Sequence, residues 1–234
     1  MFDDARVHDS SGRRNFLRTV LSGAVAGAVA GTGIELAAPS RLAAQANLSP
    51  DAALQELMAG NQRFAANQLT SFEHDLTILK EHTEGKQEPF AGVLSCADSR
   101  VPVELVFDQT IGHIFVTRVA GNISTSDIIA SLEYGVAVLG IKALLVLGHS
   151  NCGAVKAAMK AESVPGQIST LYPHLRQAVE QSGGNFEKAI EANARIQADL
   201  LRTSSTVIRE AVQAGKLKVQ AGVYDLASGK VSLS

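Results

Sequence analysis

The 234-residue chain contains no tryptophan, and aromatic residues make up only 5% of it. Interleaved aromatic and basic platforms for nucleic acid are therefore missing, and a net charge of -2 leaves no basic footprint to replace them. Only two cysteines occur, which excludes a scaffold stapled by several disulfides. No strongly apolar run approaches the ~20 residues that a membrane-spanning helix needs. The nearest candidate, Val20 to Ile34, is built mostly from Ala and Gly. What is present is ordinary for a globular protein: 46% hydrophobic and 19% charged residues, in a length that suits one substantial domain.

The first 46 residues read as an address. Arg13-Arg14-Asn15-Phe16-Leu17-Arg18, preceded by Ser10 and Ser11, resembles a twin-arginine export signal, and Ala44-Gln45-Ala46 has the small-x-small pattern of a signal-peptidase site. The expectation is a signal peptide over 1–46, cleaved after Ala46, and a mature chain over 47–234 exported to the bacterial periplasm. An uncleaved anchor packed through Gly23, Gly27 and Gly31 is the alternative. No cysteine follows the cleavage position, so neither a lipid anchor nor any stable membrane anchor is expected after cleavage. Twin-arginine cargo folds before crossing, so its thiols can take up metal while still in a reducing compartment.

In the mature part, Ser49-Pro50-Asp51 supplies an N-cap, a first helical residue and a first-turn acid, and Leu54, Leu57, Met58 and Phe64 follow at helical spacing. A polar helix is expected around Leu76 to His82. The pattern then changes to short apolar runs: Phe90 to Leu94, Ile114 to Val119 and Ala143 to Leu147 read as buried strands. Ser126-Asp127 opens a helix that Gly140 ends. A helical region from Phe186 to Gln213, interrupted near Thr203-Ser204-Ser205, precedes two strand candidates, Lys218 to Tyr224 and Lys230 to Leu233. Continuous apolar strands alternating with helices predict a single α/β domain with a mostly parallel sheet flanked by helices.

Two of those strands end in chemistry. Cys96 follows the first and His149 follows the third, with Cys152 three residues on. Parallel strands bring their carboxyl ends to one edge, where α/β proteins place ligands. Two thiolates and an imidazole form a recognised zinc set that leaves a fourth position open. Read singly, each residue is more simply a small buried hydrophobe or a structural histidine; together they predict a metal site.

The series Cys96-x-Asp98-x-Arg100 and His149-x-x-Cys152 resembles the signature of the β-class carbonic anhydrases. The similarity extends over Asn61-x-Arg63-Phe64, Gln87-x-Pro89, Arg118-x-Ala120-Gly121-Asn122, Ser131-Leu132-Glu133-Tyr134 and Gly222-Val223-Tyr224-Asp225. The resemblance implies a β-carbonic anhydrase-like fold, one zinc per chain on Cys96, His149 and Cys152, and an Asp98–Arg100 pair that assists the attacking water. It also implies a substrate pocket from Gln87, Phe115, Ala120, Tyr134 and Gly153. Some of these come from a neighbouring subunit in the family, so a homodimer or tetramer is implied. Ala120 stands where some members carry a bulkier Val. The substrates implied are carbon dioxide and bicarbonate.

Other readings remain at this point. Gly148-His149-Ser150-Asn151-Cys152 fails the serine-hydrolase elbow, which needs Gly where Cys152 stands. A cysteine hydrolase using Cys96 and His149, a related zinc hydrolase of carbon disulfide, and a non-catalytic zinc or redox module are the alternatives. Of the other histidines, His74, His82 and His174 read as solvated, and His113, in a turn before a strand, as a candidate proton relay.

Overall fold

The structure, a computed structural model, describes residues 48–71, 85, 87–161 and 163–234. The leader expected over 1–46 and the helix expected around Leu76 to His82, with His74 and His82, lie outside the described residues. No helix among the described residues is long and apolar enough to cross a membrane.

Helix α1 (Pro50–Ala65) starts where Ser49 caps it, its Oγ accepting from the Ala52 amide at 3.2 Å. It buries Leu54 and Leu57 on the sheet. Strand β1 (Ala91–Ser95) and strand β3 (Ala143–His149) are buried at every position, as their unbroken apolar sequences require. Around them stand β2 (Ile114–Arg118), β4 (Lys218–Tyr224) and β5 (Val231–Leu233), in the order β2-β1-β3-β4-β5. All neighbours are parallel except β4 and β5, which form an antiparallel edge.

The sheet is covered on both faces. Successive β3 side chains alternate: Ala143, Leu145 and Leu147 pack with α1, whereas Leu144 and Val146 pack with α3 (Ser126–Ala137), α6 (Phe186–Ser204) and α7 (Thr206–Gln213). Each such buried leucine or valine contributes about 1.5–3 kcal/mol by leaving water. The interruption expected near residue 205 is the boundary between α6 and α7, where the Ser205 Oγ accepts from the Ile208 amide. Three short helices were not apparent from sequence: α2 (Val103–Val106), α4 (Gly153–Lys160) and α5 (Tyr172–Gln181).

Asp108 is buried against the C-terminal half of α1. It accepts from the Arg63 Nε and from the Thr70 and Ser71 amides. His113 is buried as well, with Nδ1 3.4 Å from the Gln109 Oε1. His113 precedes β2, at the edge opposite the cysteines of its own chain. His174 is exposed, as expected.

Candidate metal centre

Cys96 leaves β1 directly, and His149 is the last residue of β3. Because Ser95 pairs with Leu147 in the parallel register, the two emerge side by side at the carboxyl edge. Cys152 follows at the N-cap of α4. One donor atom from each of Cys96, His149 and Cys152 lies within 4.8 Å of the others. All three are buried, at 4%, 0% and 2% exposure, and both cysteines are free thiols. Their floor is apolar, made by Ile123, Val155, Leu175 and Ile190.

The imidazole is set for coordination. His149 Nδ1 lies 2.9 Å from the Ser150 carbonyl oxygen, which can only accept, so Nδ1 carries the proton and Nε2 the lone pair. Nε2 is buried without a hydrogen-bond partner. A buried acceptor left unsatisfied is costly, and here it faces two sulfurs. That donor set, two thiols and one imidazole lone pair, fits zinc.

The neighbouring Cys152 thiol, with help from His149 and the Gly121 amide 3.3 Å away, outweighs burial and draws the Cys96 thiol well below its usual range. The Cys152 thiol is pushed up by its interaction with Cys96 and by burial. A divalent cation reverses this by displacing the remaining thiol proton and taking both thiolates.

Asp98 stands at the rim. Arg100 donates through Nε to Oδ1 at 2.9 Å and through Nη2 to Oδ2 at 2.8 Å, and its amide also reaches Oδ1 at 3.0 Å. This grip holds the Asp98 carboxyl far below the usual carboxylate range, against the small opposing effect of burial. Oδ2 lies 3.9 Å from His149 Nε2, so the carboxylate faces the donors without joining them. Sequence reasoning gave no role to Arg118, which donates to the Cys96 carbonyl at 3.0 Å and to the Asp98 carbonyl, clamping the loop between them. A charged residue ending an apolar strand was the available signal.

The family model described as "Carbonic anhydrase" matches residues 91–231. Carbonic anhydrase 2 of Mycobacterium tuberculosis is 32% identical over 198 residues, covering 80% of this chain and 94% of its own length. The carbonic anhydrase of Mycolicibacterium smegmatis is 33% identical over 195 residues, with the same coverage. The chain belongs to the β-class carbonic anhydrases. Among solved structures, the β-carbonic anhydrase CcaA superposes with a TM-score of 0.62 at 27% identity, covering 77% of this chain and 86% of that one. The Coccomyxa β-carbonic anhydrase bound to acetazolamide gives 0.61 at 28%, covering 77% and 85%. The α/β fold expected from sequence is that of these β-carbonic anhydrases.

The other residues that the carbonic anhydrase resemblance singled out do not all gather at one centre within the chain. Gly153 adjoins Cys152, with open space where a Cβ would stand, and Ala120 precedes the Gly121 amide that touches Cys96. Phe115, on the edge strand β2, pairs with Gly92 and packs its ring 6.3 Å from that of Tyr134 on α3. Gln87 is exposed and precedes β1, so the whole strand, about 13 Å from Ala91 to Ser95, separates it from Cys96.

Proposed function

We propose that this protein carries out the reversible hydration of carbon dioxide to bicarbonate and a proton, with one zinc ion held by Cys96, His149 and Cys152. The observation that carries the reading is the convergence of those three donors at the carboxyl edge of a β-carbonic anhydrase sheet, with a carboxylate facing them. Bound zinc supplies a Lewis acid that makes water a nucleophile near neutrality.

The chain's own residues orient and exclude. Asp98, ionised by the Arg100 grip, acts only as a hydrogen-bond acceptor; it takes a proton of the attacking water in a hydrogen bond and aims the oxygen lone pair at the substrate carbon. The new bond forms from that oxygen to carbon, one C=O electron pair moves onto oxygen, and the released proton passes to buffer. Asp98 holds protons too weakly at neutral pH to store this one, so it orients rather than relays. Arg118 keeps the Cys96–Asp98 loop in register for both tasks.

Gln87, Phe115, Ala120, Tyr134 and Gly153 form the substrate pocket in this reading, with Gln87 donating to a substrate oxygen. The separation of Gln87 from Cys96 within one chain supports a pocket completed by a second copy, so a homodimer is the smallest active unit and a tetramer pairs two of them. The leader reading places the activity in the periplasm. Elemental analysis and stopped-flow carbon dioxide hydration test the proposal together: about one zinc per chain is expected from the three-donor set, with hydration lost on chelation. Metal-free protein, or zinc protein without hydration, overturns it.

A further inference from the structure

We propose that Asn193 and Gln197, two carboxamides buried in α6, are positioning residues for the metal centre. They act by fixing the Gly121 amide against the Cys96 sulfur. The inference rests on the zinc reading above.

The Gly121 N–H donates to Cys96 Sγ at 3.3 Å. That donor sits in a turn with little intrinsic stiffness: Gly121 has φ +77° and Asn122 φ +43°, both left-handed. The turn is also tight, since a Cβ on Gly121 would lie 3.3 Å from the Ala154 Cβ and 3.4 Å from Leu175. Something must hold a glycine turn to this tolerance, and α6 does so from both ends. Asn193 Nδ2 donates to the Gly121 carbonyl at 2.8 Å, and Gln197 Oε1 accepts from the Ser124 amide at 2.7 Å.

The two carboxamides also fix each other. Gln197 Nε2 donates to Asn193 Oδ1 at 3.2 Å and to the His174 carbonyl at 3.2 Å. This leaves Asn193 only one orientation, with Nδ2 toward Gly121. Both side chains are 1% exposed, so every bond in the chain lies in a low-dielectric interior where such bonds polarise one another. An amide hydrogen bond to a ligand sulfur withdraws charge from it and fixes its direction, which is how residues beyond the ligands tune a metal.

Zinc affinity, measured by competition with a chromophoric chelator, and the thiolate-to-metal charge-transfer band of Co(II)-loaded protein test this without reference to turnover. They therefore stand or fall separately from the hydration reading. Asn193→Leu is expected to weaken zinc binding about 10- to 100-fold and to shift the cobalt band. Asn193→Ser, a milder truncation, should move both in the same direction and serves if the leucine variant fails to fold. Asn61→Leu is the control. Its equally buried carboxamide bridges the Val106 and Gly229 carbonyls and the Val231 amide, and its loss should lower Tm while leaving both readouts unchanged. A folded Asn193 variant with wild-type zinc affinity and cobalt band, or the same changes in Asn61→Leu, would overturn the assignment.

Discussion

Arg100 grips both carboxylate oxygens of Asp98 from only two residues away. The acid is therefore anchored by its own loop rather than by a distant element, and its direction survives small movements of the sheet. Removing either partner tests whether that direction matters for rate.

Asp98→Ala should keep about one zinc per chain, because the three donors are untouched. Its hydration rate should fall about 10- to 100-fold, the usual cost of losing a partner next to a metal site. Steady-state hydration together with metal analysis checks this; wild-type turnover in the variant would remove Asp98 from the mechanism.

Metal uptake should have a proton signature. The thiol pair is shifted in opposite directions, Cys96 down and Cys152 up, which favours a single negative charge on the metal-free pair near neutrality. Zinc binding to the metal-free protein near pH 7 should thus release about one proton rather than two. Calorimetry in buffers of different ionisation enthalpy measures the number.

Activity should climb from neutral into mildly alkaline pH. Two thiolates neutralise the formal charge of the ion, so water at the site is less acidic than beside three neutral imidazoles. A hydration rate that is level between about pH 6 and 9 would contradict the charge argument.

Asp108 gives a stability test away from the metal donors. Burial pushes its carboxyl up, but Arg63 and the amides of Thr70 and Ser71 outweigh this and hold it well below the usual range. With a folded pKa below the unfolded ~3.9, its contribution is complete above pH ~4 and is lost as pH falls through the folded value. Asp108→Asn should cost about 2–3 kcal/mol at neutral pH, with the gap to wild type closing in acid. Denaturation at pH 7 and below 4 checks the sign.

Two glycines should respond in opposite ways. A Cβ at Gly60 would lie 1.7 Å from the Phe107 carbonyl oxygen, which is backbone and cannot swing aside, so Gly60→Ala should cost at least about 2 kcal/mol. At Gly153 a Cβ meets nothing within 4 Å, so Gly153→Ala should fold with an unchanged Tm. If Gly153 faces substrate, that variant nevertheless loses kcat/KM; unchanged kinetics would take Gly153 out of the pocket.

The donors were legible in the sequence because a parallel sheet leaves few places for strand ends, and Cys96 and His149 stand at two of them. The strands were legible because β1 and β3 are apolar without interruption. Helix α4 was not, since its N-cap is Cys152 itself, which reads as a ligand and not as a helix start. Nothing in the sequence marked Asp108 as buried; its bonds to Arg63, Thr70 and Ser71, 37 to 45 residues away, are what allow it. The roles of Asn193 and Gln197 were hidden for the same reason, since each reaches its partners across 72 or 73 residues.

Strands β1 and β3 are neighbours at the middle of the sheet, and each delivers a donor from its end. An ion held there would be a rivet through the central seam, joining the two strands at their ends. Metal loading should therefore raise the hydrogen-exchange protection of the strand ends that carry Cys96 and His149.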